Sequence, residues 1–307
     1  MYSPVPDIDD ETWTDTASAE EAAVGKSLAK QQRHQQSHWP VKILTGTIWI
    51  SGACFAMFAL GHYVRRAIRG DWELWDLSDL HLYRPEQPLA NVLMTTHMLG
   101  GSWLMLAGPI QLIPSIRRNY LSFHRWTGRV YIVASLVTAT SIIFFVLLYR
   151  TSRRDIYEDV GNVLLGCAML VCAVQSYRHV RAKQVEQHKW WSYRLFALVL
   201  AALLYRLYIV AYFVVVLFTP WQGSRWVFES LFFLFFIPNL VMVEIYRRSP
   251  DSRLFFQSPW LLGSVTLFVG VLTVLNIVYN WWPSIQGVDI GQASNMEHAY
   301  DDTSLIH

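Results

Sequence analysis

Two side chains in this 307-residue sequence interrupt long apolar stretches: His97 and Arg206. A guanidinium presents five N–H donors in a planar fork and suits a carboxylate, phosphate or enolate oxygen. An imidazole moves a proton near neutral pH. The pair therefore points to oxyanion binding combined with proton transfer, and Glu229 is the candidate counter-charge. The structural alternative is that Arg206 snorkels, or pairs with one acid simply to hold helices together. Ionisable groups in hydrocarbon are functional candidates by default, which keeps the catalytic reading in play.

A second constellation rests on His124 and His188. Each opens an apolar run within a related segment, HRWTGR and HKWWSYR, sharing His, a basic residue and Trp. Two histidines at equal depth on alternate helices could ligate a b-type haem from both faces. They could equally bind anionic lipid headgroups, or border a quinone or substrate site. His62 and His97 could form a second haem pair, although His62 falls at the interface and His97 deeper. No HExxH, GxSxG, Walker loop or CxxC pair occurs, so no metal site is assigned.

The elements that must position these residues are apolar runs. They cover approximately 43–64, 90–113, 127–149, 158–178, 194–218, 227–246 and 259–281. Each is roughly long enough to cross about 30 Å of hydrocarbon as a helix. The composition agrees: 53% of residues are hydrophobic and 16% charged, against about 25% charged in soluble domains. The predicted fold is an all-α bundle of seven transmembrane helices over 41–282. Polar tails flank it at 1–40 and 283–307. A formal net charge of +2 gives no reason to expect nucleic acid as a partner. The partners expected are the lipid bilayer and a lipophilic small molecule.

Lys and Arg are about twice as abundant on the side that would hold the N-terminus, which predicts a cytoplasmic N-terminus. That topology converts sequence position into depth. His97 and Arg206 both fall roughly 10 Å below the outer boundary at 1.5 Å per residue. Asn162, Glu229, Asn276 and Asn280 belong to the same half, whereas His124 and His188 belong to the inner rim. Cys54, Cys167 and Cys172 lie in apolar runs and read as buried thiols. Gly108-Pro109 and Pro238 are predicted to kink their helices.

AGPIQL after His97, HRWTGRVY at His124, HKWWSYR at His188 and Arg206 downstream together resemble the membrane-protein family called domain of unknown function 2306. The resemblance covers about residues 90–215. It implies a multi-pass integral membrane protein, in an endomembrane or the plasma membrane, with fungal relatives encoded among natural-product biosynthesis genes. The expected function is that of a membrane enzyme or accessory factor acting on a lipophilic small molecule in secondary-metabolite biosynthesis. A b-haem electron-transfer protein and a small-molecule transporter are the alternatives.

Overall fold

The computed structural model describes residues 39–77, 82–151, 156–220, 223–248 and 259–281. The predicted tails fall almost wholly outside these residues. Within them the chain is helical, and no strand occurs among the described residues. The helices are α1 (Trp39–Ala59), α2 (Arg65–Arg69), α3 (Pro88–Leu112), α4 (Pro114–Asn119), α5 (Leu121–Tyr149), α6 (Ile156–Arg181), α7 (Val185–Phe218), α8 (Arg225–Leu234), α9 (Ile237–Arg248) and α10 (Pro259–Asn276). A π-helical turn, Leu60–Val64, joins α1 to α2, and another, Ile277–Trp281, extends α10.

Four helical segments are long and apolar enough to cross a membrane: Lys42–Arg69, α5, α6 and α7. The protein is thus an integral, multi-pass membrane protein. Each of the other three predicted runs is also helical, but each departs from an ideal span for a local reason. Helix α3 has the length, yet Asn91, Thr95, Thr96, His97 and Ser102 lower its hydropathy. Of these, Asn91 and Ser102 are buried in the bundle, and Thr95, Thr96 and His97 are half-buried. The sixth run breaks at Phe235–Phe236 into α8 and α9. Pro238 sits in the first turn of α9, where its missing N–H costs nothing, so it starts a helix rather than kinking one. The last run is helical but shorter.

Helices α3, α5, α6 and α7 pack in sequence, and α7 returns against α3. Helices α1 and α10 lean on one side of this ring, against α3 and α7, while α8 and α9 cover α6 and α7. Glycines permit the closest approaches. A Cβ at Gly166 would come 2.7 Å from Ile143, and one at Gly108 would come 2.7 Å from the Phe196 ring. Large side chains such as Ile50, Met57, Leu147 and Phe218 point outward from the bundle. In water such a surface would drive association; in a bilayer it is the lipid-facing belt.

One junction is heavily ordered. After the first π turn the chain ends α2 at Gly70, whose φ of 84° is the left-handed conformation glycine tolerates best. A 3₁₀ turn (Trp72–Leu77) then folds back over it. The Trp75 indole N–H donates to the Tyr63 carbonyl at 3.0 Å, and both side chains are fully buried.

Candidate functional site

Arg206 lies on α7, whose apolar sequence leaves its guanidinium to find partners inside the bundle. It donates from Nη1 to the Ala202 carbonyl at 2.9 Å and stacks 4.5 Å from the centre of the Phe55 ring. Among the described residues no carboxylate approaches it within 4 Å. The guanidinium lies within electrostatic reach of Tyr63, Tyr205 and Glu158. Asn276 of α10 holds the Arg206 carbonyl at 3.4 Å and so ties α10 to this level of the bundle.

His97 reaches the same region from α3 and interacts electrostatically with Arg206. Its Nδ1 lies 3.1 Å from the Thr138 carbonyl of α5. A carbonyl can only accept, so Nδ1 carries the proton. In the neutral ring Nε2 is then a lone-pair acceptor, and it makes no hydrogen bond among the described residues. Two residues 109 positions apart in sequence thereby come within electrostatic reach of each other: a positioned imidazole and a guanidinium with one donor engaged.

The acid in reach of Arg206 is Glu158, which the sequence reading did not single out. It stands in the first turn of α6, where a carboxylate also favours the helix dipole. Its position at the start of an apolar run is the signal that could have found it. Glu229 is half-buried on α8, which packs against α6, and it makes interactions of its own.

His62 plays another part. It is fully buried, with Nε2 3.3 Å from the Trp75 carbonyl and Nδ1 2.9 Å from Arg66 Nη1. The carbonyl accepts from Nε2 and the guanidinium donates to Nδ1. Both nitrogens are used in binding the 3₁₀ turn, so His62 has none left for a haem shared with His97.

At the opposite end of the bundle His188 of α7 donates Nδ1–H to the Ser176 carbonyl of α6 at 2.9 Å. The Ser176 hydroxyl lies 2.8 Å from that of Ser192, completing a buried α6–α7 link. His124, in the first turn of α5, is in electrostatic reach of Arg117, His188 and Arg125, and its Nδ1 is buried without a partner. The structure therefore groups His124 with His188. Fourteen residues of α5, about 21 Å, separate His124 from Thr138 beside His97. The two constellations are therefore separate in space.

Of the three thiols, Cys172 is buried and Cys54 half-buried, but Cys167 is exposed on the outer face of α6. The expectation of three buried thiols fails there because an apolar run on an outer helix has a lipid-facing side.

The sequence model of the family described as "Predicted membrane protein (DUF2306)" matches residues 94–247, half of the chain. The match runs beyond the expected limit near residue 215 and takes in α8 and nearly all of α9. No curated protein and no solved structure matches. The matched segment contains His97, His124, Glu158, His188 and Arg206, and this chain belongs to the DUF2306 family of predicted membrane proteins.

Proposed function

We propose that this protein is a membrane enzyme or accessory factor that holds the anionic head of a lipophilic small molecule between His97 and Arg206. The observation that carries this reading is a guanidinium inside the bundle with no contact carboxylate among the described residues, beside a histidine whose Nε2 is open. Arg206 would bind the ligand's oxyanion, and its attraction would strengthen as charge develops on that oxygen. His97 would take a proton from the ligand, with Glu158, and Glu229 from the neighbouring helix, balancing charge. The biosynthetic setting we attach to this activity is natural-product formation, on the strength of the resemblance to fungal members of the family. The accompanying topology is seven spans with a cytoplasmic N-terminus.

The test is mass spectrometry of small molecules that co-purify with the detergent-solubilised chain. An acidic lipophile should be retained by the wild type and depleted at least tenfold in Arg206→Leu. Arg206→Lys should retain it partly, because an ammonium keeps the charge and loses the fork. Equal retention by the wild type and a folded Arg206→Leu variant would overturn the reading.

The inner histidines favour one second reading. His188 donates Nδ1–H to a carbonyl and leaves Nε2 open, the arrangement that orients histidine ligands, and His124 lies within electrostatic reach of it. His124 and His188 would be the residues to hold a b-type haem, which would supply one-electron transfer when bound. Protein purified from haem-replete cells would show a Soret band that disappears in His188→Leu. A spectrum without that band removes this reading and leaves the first untouched.

A further inference from the structure

A crevice of about 580 Å³ opens on the lipid-facing side of the bundle between α6, α7 and α9. Its upper wall is apolar: Cys167, Ala168, Val171 and Leu240. At its lower end Arg194, Arg247 and Arg248 gather around Glu244. Glu244 accepts from Arg194 at 2.7 Å and from Arg247 and Arg248 on its other oxygen. Three cations against one anion leave this end with an excess of two positive charges. Along α9 the crevice runs from Leu240 to Arg248, eight residues or about 12 Å, with its apolar end at the level of Cys167 and its basic end at Arg247 and Arg248.

We propose that this crevice is a binding site for one anionic phospholipid, with an acyl chain along Cys167, Val171 and Leu240 and the phosphate at Arg247 and Arg248. The charge pattern selects the occupant. A zwitterionic headgroup would bring a cation into a cluster that already has too many. An anionic headgroup neutralises the excess, as basic pockets at the ends of membrane helices do. Arg248 is the most accessible donor, with a side chain 72% exposed, so its charge can turn from Glu244 to a phosphate without breaking a buried contact. Arg194 is held more firmly, stacked 4.7 Å from the centre of the Trp191 ring, and fixes the crevice wall. The site is distinct from the His97–Arg206 pocket and stands or falls separately from it.

The test is native mass spectrometry of the full chain in detergent, titrated with dioctanoyl phosphatidic acid, dioctanoyl phosphatidylcholine or inorganic phosphate. One phosphatidic acid per chain should bind at least tenfold more tightly than phosphatidylcholine, and inorganic phosphate should not compete at equal concentration. The double variant Arg247→Gln, Arg248→Gln should abolish that preference. Val171→Trp keeps every charge, fills the apolar wall and should weaken phosphatidic acid binding at least fivefold; it decides the matter if the arginine variant does not fold. Equal binding of both lipids, or phosphatidic acid binding unaffected by Val171→Trp, overturns the proposal. Full competition by inorganic phosphate overturns the lipid assignment in favour of a free anion site.

Discussion

His97 donates its Nδ1–H to the backbone carbonyl of Thr138, 3.1 Å away on the neighbouring antiparallel helix. The bond does two things at once. It fixes the ring's rotation against α5, and it selects the neutral tautomer with its lone pair on Nε2. The Thr138 carbonyl already belongs to the helical hydrogen-bond ladder of α5, so His97 uses a second lone pair that the ladder leaves over. The histidine is therefore positioned by the fold without the fold depending on it.

His97→Ala should accordingly cost little stability. Interhelical hydrogen bonds in membranes contribute roughly 0.6–2 kcal/mol, and Thr138 keeps its ladder partner in the variant. Unfolding in a denaturant series should show a loss within that range, while retention of the co-purifying acidic lipophile falls at least tenfold. A loss above about 4 kcal/mol with ligand retention intact would make His97 a structural residue.

Gly100 should tolerate no side chain. A Cβ there collides with Thr138 Oγ1 and comes 3.3 Å from Thr138 Cβ, so the threonine must change rotamer and the helices must give way as well. Gly100→Ala should destabilise the α3–α5 pair by about 1–3 kcal/mol, the usual cost of overpacking. Thr138→Ala removes the obstructing atom, so the double variant should recover most of the loss. A double-mutant cycle measures this directly, and additive effects would mean that the two helices separate without strain.

Much of this arrangement is legible in the sequence, and the part that is not has a physical reason. Helical rise converts sequence position into depth, which is how His97 and Arg206 are recognised as belonging to one level. Rise says nothing about which way a side chain faces around the bundle. Glu158 and Glu229 both stand near the start of a helix, and only the packing of α6, α7 and α8 brings Glu158 within electrostatic reach of Arg206. His62 and Arg66 are four apart, a spacing that places them on one helix face. Their bond is thus readable in principle, whereas the return of the Trp75 carbonyl onto His62 depends on the left-handed turn at Gly70. Cys167 shows the same limit: apolar periodicity within a span cannot separate the bundle interior from lipid.

Asp159 holds the C-terminal end of α5 and the residue that follows it. Its two oxygens accept from Arg150 Nε and from the Thr151 backbone N–H, each at 2.8 Å, and its side chain is almost wholly buried. Arg150, at φ 60°, has the conformation least favoured for a side chain of its size, so these contacts hold a strained turn. Asp159→Ala leaves the buried N–H of Thr151 unmatched and should cost about 2–3 kcal/mol, towards the upper end for a lost charged partner. Asp159→Asn keeps an acceptor for Thr151 and should cost about half as much. Thermal unfolding of the two variants ranks them, and equal losses would show that the arginine contact dominates.

Acid should weaken the charged rim before it affects the bundle interior. The Arg247 guanidinium, then Arg194 and Arg248, hold the Glu244 carboxyl well below the usual carboxylate range. A depressed folded-state pKa contributes stability that is complete above the unfolded value, about 4.3, and lost as pH falls through the folded value. The wild type should thus lose stability progressively below about pH 4, with α9 loosening from α7 as the Arg194–Glu244 contact breaks. Glu244→Gln leaves three like charges unopposed, so it should be the less stable protein at pH 7. It has no carboxylate to titrate, so the gap between variant and wild type should narrow in acid. Melting temperatures of both proteins between pH 3 and 7, followed by tryptophan fluorescence, give the comparison, and a gap that stays constant with pH would place the charge balance of this rim elsewhere.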